Sequence, residues 1–474
     1  MKWKILALIA LMIFSTGRSV RGAEQPTVTH YSLNIHVFPK DESLAAAAFV
    51  TVNNSTQDTL SDVSVLLYRL LEVPAVADDD GHALTFDQRV VKVKDEGNLQ
   101  VNQLTIHLVK SLLAGESQRF AIRYQGSIYG YPEVMAYTRD RIDTSYSLIR
   151  PDVFAYPVLA LPTRQSEMAS YEARFTYQAA VTVPSGYDVA CGGHLVSVDT
   201  AKDSTTFVFK RDQPTWRMDL AVAKFAVISN DSLNLRVYVM PQDTVGARYV
   251  VQQMQKVIDL YTSWFGPAKY FQGYTAIEIP GGWGSQASDG YFMQTAAAFR
   301  DSQRVSEVYH EIGHTWNVKT TLQLQRCRWF DEAFASYFES LALSHFSGQK
   351  AFEQDMENSR DIFARWADYD PRNSSTPIAD YWKEELGRNS YSKGAWSLYV
   401  LNQIVGDQTF RRIIKDMMSQ FADRQIDFHS FQKLAETESG KNLTKFFDEW
   451  IYGSLSSELL IKKTPIDEIV KRYQ

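Results

Sequence analysis

Between residues 28 and 240 the chain alternates apolar and polar side chains, and beyond Pro241 it stops doing so. That change of period constrains the fold more than any other feature of the sequence. In YSLNIHVF, Tyr31, Leu33, Ile35 and Val37 share one face, while Ser32, Asn34 and His36 share the other, the pattern of a strand buried on one side. LTIHLV (104–109), RFAIRY (119–124), FTYQAAVTV (175–183), TTFVFK (205–210) and LRVYVM (235–240) read the same way, separated by turn residues such as PSGYD and CGGH. So many short strands in succession predict a β-rich sandwich or saddle over residues 24–240. After Pro241, apolar residues fall at Val250, Met254, Val257, Ile258, Tyr261 and Phe265, with Gly266 as a stop. This spacing predicts a helix over 249–265. One strand, YTAIEI (274–279), and a Gly-rich loop follow, and from Ser302 the chain reads as helical, most strongly over 395–421 and 428–452. The expected architecture is multidomain α and β: a β-rich N-terminal domain, a mainly α second domain over 241–455, and a short tail over 456–474.

Composition narrows the functional classes. The 474 residues are 45% hydrophobic and 13% aromatic, enough for packed cores in two or three domains. The net charge is -6 and no long basic run occurs, which argues against a nucleic-acid partner. Residues 1–23 read as an export signal, with Lys2 and Lys4 ahead of the apolar run Ile5–Phe14 and a polar stretch of small residues behind it. That run is shorter than the roughly 20 residues a membrane-spanning helix needs. The expectation is a secreted or periplasmic protein with no stable membrane span once the signal is removed. Cys191 and Cys327 are the only cysteines and read as buried thiols rather than a bridge. Asn53, Asn54, Asn230, Asn373 and Asn442 lie in glycosylation sequons.

The chemistry concentrates in VYHEIGHTWN, residues 308–317. Residues four apart lie on one face of a helix, so His310 and His314 can direct both imidazoles at one metal ion. Glu311 follows the first of them, where its carboxylate reaches a water beside the metal rather than the metal itself. An HExxH match arises by chance in roughly one in a hundred chains of this composition, so a third ligand matters. In RWFDEAFASYFES, Glu332 opens a strongly helical segment. It reads either as an acid favoured by the helix dipole or, beside HExxH, as the ligand that completes a three-residue zinc site with an open fourth position.

Taken together, HEIGH, DEAFASYFE and YSKGAW resemble the gluzincin metallopeptidases of the aminopeptidase N family. VTVPSGYDVACGGHLVS, LRVYVMPQD and FHSFQKLAETESGKNLTKFFDEWIYG resemble further pieces of it, and HTWNVK is closer to the related glycyl aminopeptidase family. Seventeen residues separate His314 from Glu332, one fewer than in the aminopeptidase N family. Asp331 and Ala333 stand where that family has asparagine and glycine. The resemblance implies a thermolysin-like catalytic domain with one Zn2+ per chain held by His310, His314 and Glu332. It also implies Glu311 as general base, a peptide or protein substrate, and Tyr391 of SYSKGAW as the catalytic tyrosine.

One departure bears on specificity. The aminopeptidase N family carries Gly-x-Met-Glu-Asn ahead of the zinc helix, and its glutamate holds the substrate's free α-amine. The comparable segment here, IPGGWGSQASDGYFM, has Gly281, Gly282 and Gly284 but neither Glu nor Asn. It reads equally as a plain turn or as a substrate-binding edge formed by Gly281, Gly282 and Gln286, with Gln286 or Asp289 left to stand in for the glutamate. An aminopeptidase is the first expectation, and a zinc endopeptidase or a catalytically silent peptide-binding protein is the alternative.

Overall fold

The computed structural model describes residues 25–474 apart from 172, 269, 270, 272 and 423. The export segment expected over residues 1–23 lies outside the described residues. The N-terminal half is β-rich. A seven-stranded sheet is built around Thr27–Phe38, which pairs antiparallel with Ser43–Asn53 and parallel with Phe175–Pro184. Tyr31, Leu33, Ile35 and Val37 are all buried, as their alternation requires. A four-stranded sheet containing Leu60–Tyr68 and Gln100–Leu112 packs against it through one hydrophobic core. A three-stranded sheet of Asp188–Cys191, Leu220–Ala223 and Ser147–Ile149 lies towards the second half.

The second half joins a five-stranded sheet to a set of helices. The strands run in the order Ala226–Asn230, Leu235–Val239, Tyr274–Ile279, Tyr291–Thr295 and Gln286–Ser288. The strand expected over 235–240, at the end of the β-rich domain, pairs in parallel with Tyr274–Ile279 as Leu235–Val239. A strand's own period records that one face is buried, not which sheet it joins. One face of this sheet, with Leu235, Val237, Val239, Tyr274, Ala276 and Phe292, packs on the helices. The other, with Tyr238, Ile277, Ile279, Tyr291 and Met293, packs on Leu148, Ala190 and Ala221 of the three-stranded sheet. The five-stranded sheet is thus shared between both halves.

The predicted helix extends over Thr244–Phe265 and ends at Gly266, whose φ is 83°. The run 395–421 is two helices, Lys393–Val405 and Asp407–Gln420, broken at Gly406. The expected tail is not free: the helices Leu455–Ile461 and Ile466–Val470 place Leu460, Ile469 and Val470 in the core of the helical half. Cys191 and Cys327 are both buried free thiols. Two sequon asparagines, Asn54 and Asn373, are fully buried, and their amides donate to backbone carbonyls. Among the described residues no helix is long and apolar enough to cross a membrane.

Buried charge also joins the halves. Arg150 pairs with Asp140, and Arg217 pairs with Asp219 and Asp152, all but Asp152 nearly inaccessible. Tyr291 of the shared sheet donates to Asp219 Oδ2 at 2.7 Å, and Arg150 Nη1 donates to Gly284 O at 3.1 Å. Burial lifts the pKa of Asp140 to about 6 even with Arg150 beside it. Removing one member leaves a buried charge uncompensated, so Arg150→Met should destabilise the fold by about 3–5 kcal/mol. Arg119→Met, which removes an exposed partner of Asp79, should cost under about 1 kcal/mol. Denaturant unfolding of the two variants checks the contrast.

Candidate active site

The HExxH segment forms the helix Val305–Gly313, with His314 at its C-terminal cap still in helical conformation. Val308 and Ile312, four apart, are fully buried against the core. His310, Glu311 and His314 lie on the side that lines a cleft of about 1660 Å³ between the two halves. From His314 the chain passes through the short helix Leu322–Cys327 and then Arg328, whose φ is 55°. A π-helical turn, Trp329–Ala333, carries Glu332 and continues into the helix Phe334–Ser347. Such turns recur at functional sites because they re-aim a side chain without ending the helix.

The two helices approach closely because residue 313 is glycine. A Cβ there would stand 3.3 Å from Ala335 Cα. Glu332 Oε2 consequently lies 3.0 Å from His310 Nε2 and 3.6 Å from His314 Nε2. Tetrahedral zinc with ligands at 2.0–2.1 Å places its donor atoms about 3.3 Å apart, so two imidazole nitrogens and one carboxylate oxygen at these spacings fit the ion. The far side of each ring is also committed. His310 Nδ1 faces Glu339 Oε2 at 3.3 Å, and His314 Nδ1 faces Asp331 Oδ1 at 2.6 Å. A carboxylate on Nδ1 fixes the tautomer that leaves Nε2 free for metal.

The electrostatics match this geometry. Burial works against charging His310, but Glu332 and Glu339 push its pKa well above the ordinary histidine value. Burial opposes ionisation of Glu332 too, yet Arg328, His314 and His310 hold it well below the usual carboxylate range. Arg328 Nη2 is hydrogen-bonded to Glu332 Oε1, leaving Oε2 for the histidine side. Glu311 moves the other way: desolvation raises its pKa, with the two histidines opposing. A carboxylate raised in this manner is a better proton acceptor from water.

Tyr391 arrives from the turn Gly387–Tyr391. Its ring stacks on His310 at 5.7 Å between centroids, inclined by 7°, with the Arg328 guanidinium 5.6 Å from the ring centre. It lines the cleft, is 37% exposed, and has its pKa raised by desolvation and then by Glu332. The Lys-Gly that follows has a structural reason. A Cβ on Gly394 would stand 2.7 Å from Ala333 Cβ, so glycine lets the helix Lys393–Val405 dock on the turn bearing Glu332. Lys393 is fully buried, and its Nζ donates to Ser457 Oγ at 2.9 Å and to Thr376 O at 3.4 Å. Burial lowers its pKa to about 7.

The structure therefore brings together His310, His314, Glu332, Glu311 and Tyr391. It divides the Gly-rich loop. Gln286 is half-buried in the edge strand Gln286–Ser288 and lines the cleft, whereas Gly281 and Gly282 are exposed and do not line it. Their part in the predicted substrate edge is not supported, because the chain reaches the cleft only from Gly284 onwards. Asp289 is taken up by Arg174 Nη1 at 2.5 Å and Thr215 Oγ1 at 3.1 Å. Sequence reasoning missed Arg328, Glu339 and the role of Asp331. The spacings were there to read: Arg328 is one helical turn before Glu332, and Glu339 two turns after it.

Residues 287–450 match the peptidase family M1 domain. Glutamyl aminopeptidase of Sus scrofa is 25% identical over 278 residues, covering 54% of this chain and 29% of that protein. This chain thus spans under a third of that relative's length. In fold, the chain superposes on a mutant of the M1 zinc metallopeptidase from Deinococcus radiodurans bound to a Tyr-Ser-Ala substrate. The TM-score is 0.67 at 19% identity, covering 91% of this chain and 95% of that one. Yeast LTA4 hydrolase in complex with bestatin gives a TM-score of 0.68 at 15% identity, covering 92% and 70% of the two chains.

Two outcomes follow from the packing. Gly313→Val should force the two helices apart and weaken zinc binding by at least tenfold, measured by chelator competition. Lys393 has a folded-state pKa near 7 and an unfolded value of about 10.4. Between them only the unfolded chain holds the proton, so stability rises with pH by up to about 1.4 kcal/mol per unit. In Lys393→Met that rise, followed by denaturation from pH 7 to 10, should flatten.

Proposed function

We propose that this chain, with residues 287–450 matching the peptidase family M1 domain, is a zinc-dependent metallopeptidase, in the first instance an aminopeptidase. The observation that carries the reading is the convergence of His310 Nε2, His314 Nε2 and a Glu332 oxygen within 4.8 Å of one another, while Glu339 and Asp331 occupy the opposite ring nitrogens. His310, His314 and Glu332 would hold the ion, which supplies a Lewis acid and brings the pKa of water towards about 7.

Glu311, held at the cleft wall with a raised pKa, accepts the proton of the attacking water and passes it to the leaving amine. Tyr391 keeps its proton because its pKa is raised, so its hydroxyl can donate a hydrogen bond to the oxyanion that develops on the scissile carbonyl. Asp331 and Glu339 hold the imidazoles in orientation, and Arg328 fixes Glu332. Export is part of the same proposal, supported by Lys2, Lys4 and the apolar run Ile5–Phe14.

A second reading, an endopeptidase, is favoured by one observation. From Gly284 to Ser288 the edge of the cleft carries no carboxylate to hold a free α-amine. The cleft volume also exceeds the roughly 300–1,000 Å³ of small-molecule sites. A panel of aminoacyl and N-blocked, internally quenched peptides, run with and without chelator, separates the two. Zinc-dependent cleavage of free-amine substrates alone supports the aminopeptidase, and cleavage of blocked peptides supports the endopeptidase. Cleavage of none leaves a peptide-binding protein. Glu311→Gln should abolish hydrolysis with zinc still bound. Tyr391→Phe should lower kcat by roughly 10²–10³-fold with KM little changed. Hydrolysis by Glu311→Gln at the wild-type rate would refute the mechanism.

A further inference from the structure

The cleft-facing side of the helix Val305–Gly313 carries one acid that the hydrolytic centre does not use. Glu307 stands three residues before His310 and four before Glu311, so the three share a face, and all of them line the cleft. Its carboxylate is held from two sides, by the Gln294 side-chain amide on Oε2 and by the Arg304 guanidinium on Oε1, through Nε at 2.5 Å and through Nη2. Gln294 reaches it from the strand Tyr291–Thr295 and is 3% exposed. Its own Oε1 has no partner among the described residues.

The Glu307 side chain stays 29% exposed. A carboxylate offers about four acceptor sites, and these three contacts leave one, on Oε2. Arg304, 45% exposed, is a surface partner three residues away, of a kind that binds weakly. Other acids of the cleft are paired as well, Asp289 with Arg174, Glu385 with Arg326, and Asp355 with Ser340 Oγ at 2.6 Å, but Glu307 is the one on the helix face of His310 and Glu311. The edge strand opposite offers none.

We propose that Glu307 forms a subsite for a cationic group of the peptide, an ammonium or guanidinium, beside the bond that Glu311 hydrolyses. This inference rests on the peptidase reading and adds a substrate preference to it. The test uses zinc-loaded wild type, Glu307→Gln and Glu307→Lys. The substrates are matched peptides with Lys, Arg, norleucine or Glu on either side of the scissile bond, each with a free or acetylated N-terminus. In Glu307→Gln the ratio of kcat/KM for cationic over neutral peptides should fall roughly 10- to 100-fold, mainly through KM. In Glu307→Lys the preference should turn towards Glu. A fall confined to free N-termini assigns the cation to the α-amine, and a fall that follows Lys and Arg despite acetylation assigns it to a side chain. An unchanged ratio in both variants overturns the proposal. If wild type cleaves no peptide, the peptidase reading fails separately. Calorimetric binding of the same peptides to Glu311→Gln, with and without Glu307→Gln, then decides the subsite: a Glu307-dependent preference for cations sustains it, and equal binding removes it.

Discussion

The close approach of two helices at Gly313 and Ala335 is the contact on which the rest of the site depends. It brings Glu332, separated from His314 by seventeen intervening residues, to within 3.6 Å of both histidine Nε2 atoms. A methylene of extra separation would spread the three donors beyond the reach of one ion. The helix Lys393–Val405 closes the arrangement from a third side, again through a glycine, and delivers Tyr391 onto the His310 ring. Three segments separated by tens of residues thus meet in one place because two glycines leave room for them.

Charge then refines what packing assembles. Each imidazole has a carboxylate behind it and Glu332 has an arginine, so the pattern around the donors alternates in sign. This alternation selects which nitrogen and which oxygen face the metal position, because each partner occupies the opposite atom. Glu311 lies on the same helix but lacks such a cation, and desolvation moves its pKa upward instead. Neighbouring carboxylates on one short path are in this way pushed in opposite pKa directions.

The β-rich half is more than a platform. It takes both backbone groups of Gly284, the N–H by Tyr137 O at 3.1 Å and the C=O by Arg150. It also grips Asp289 through Arg174 and Thr215. The edge strand Gln286–Ser288 is suspended between these two clamps, so the cleft wall facing the candidate site is positioned by the other half of the molecule. The buried pairs Asp140–Arg150 and Asp219–Arg217 lie within the β-rich half, and each also reaches across from it, Arg150 to Gly284 O and Asp219 to the Tyr291 hydroxyl.

Local chemistry was legible in the sequence: the strands through their alternation, the helix over 249–265 through its spacing and its glycine stop, and the candidate metal donors through the four-residue interval and the helical setting of Glu332. What was not legible depended on contacts between distant segments. Leu235–Val239 has the same period whichever sheet it joins, and only its parallel pairing with Tyr274–Ile279 decides the matter. Gly281 and Gly282 looked equivalent to their neighbours in the loop, but the chain enters the cleft only at Gly284. Arg328, Glu339 and Glu307 are ordinary helix-surface charges in sequence, and the cleft alone makes them neighbours of the candidate site. The sequence determined which groups could do the chemistry, because ligand type and helical spacing are local properties. The tertiary structure decided which atoms face one another, because distances of about 3 Å between remote residues are set by packing.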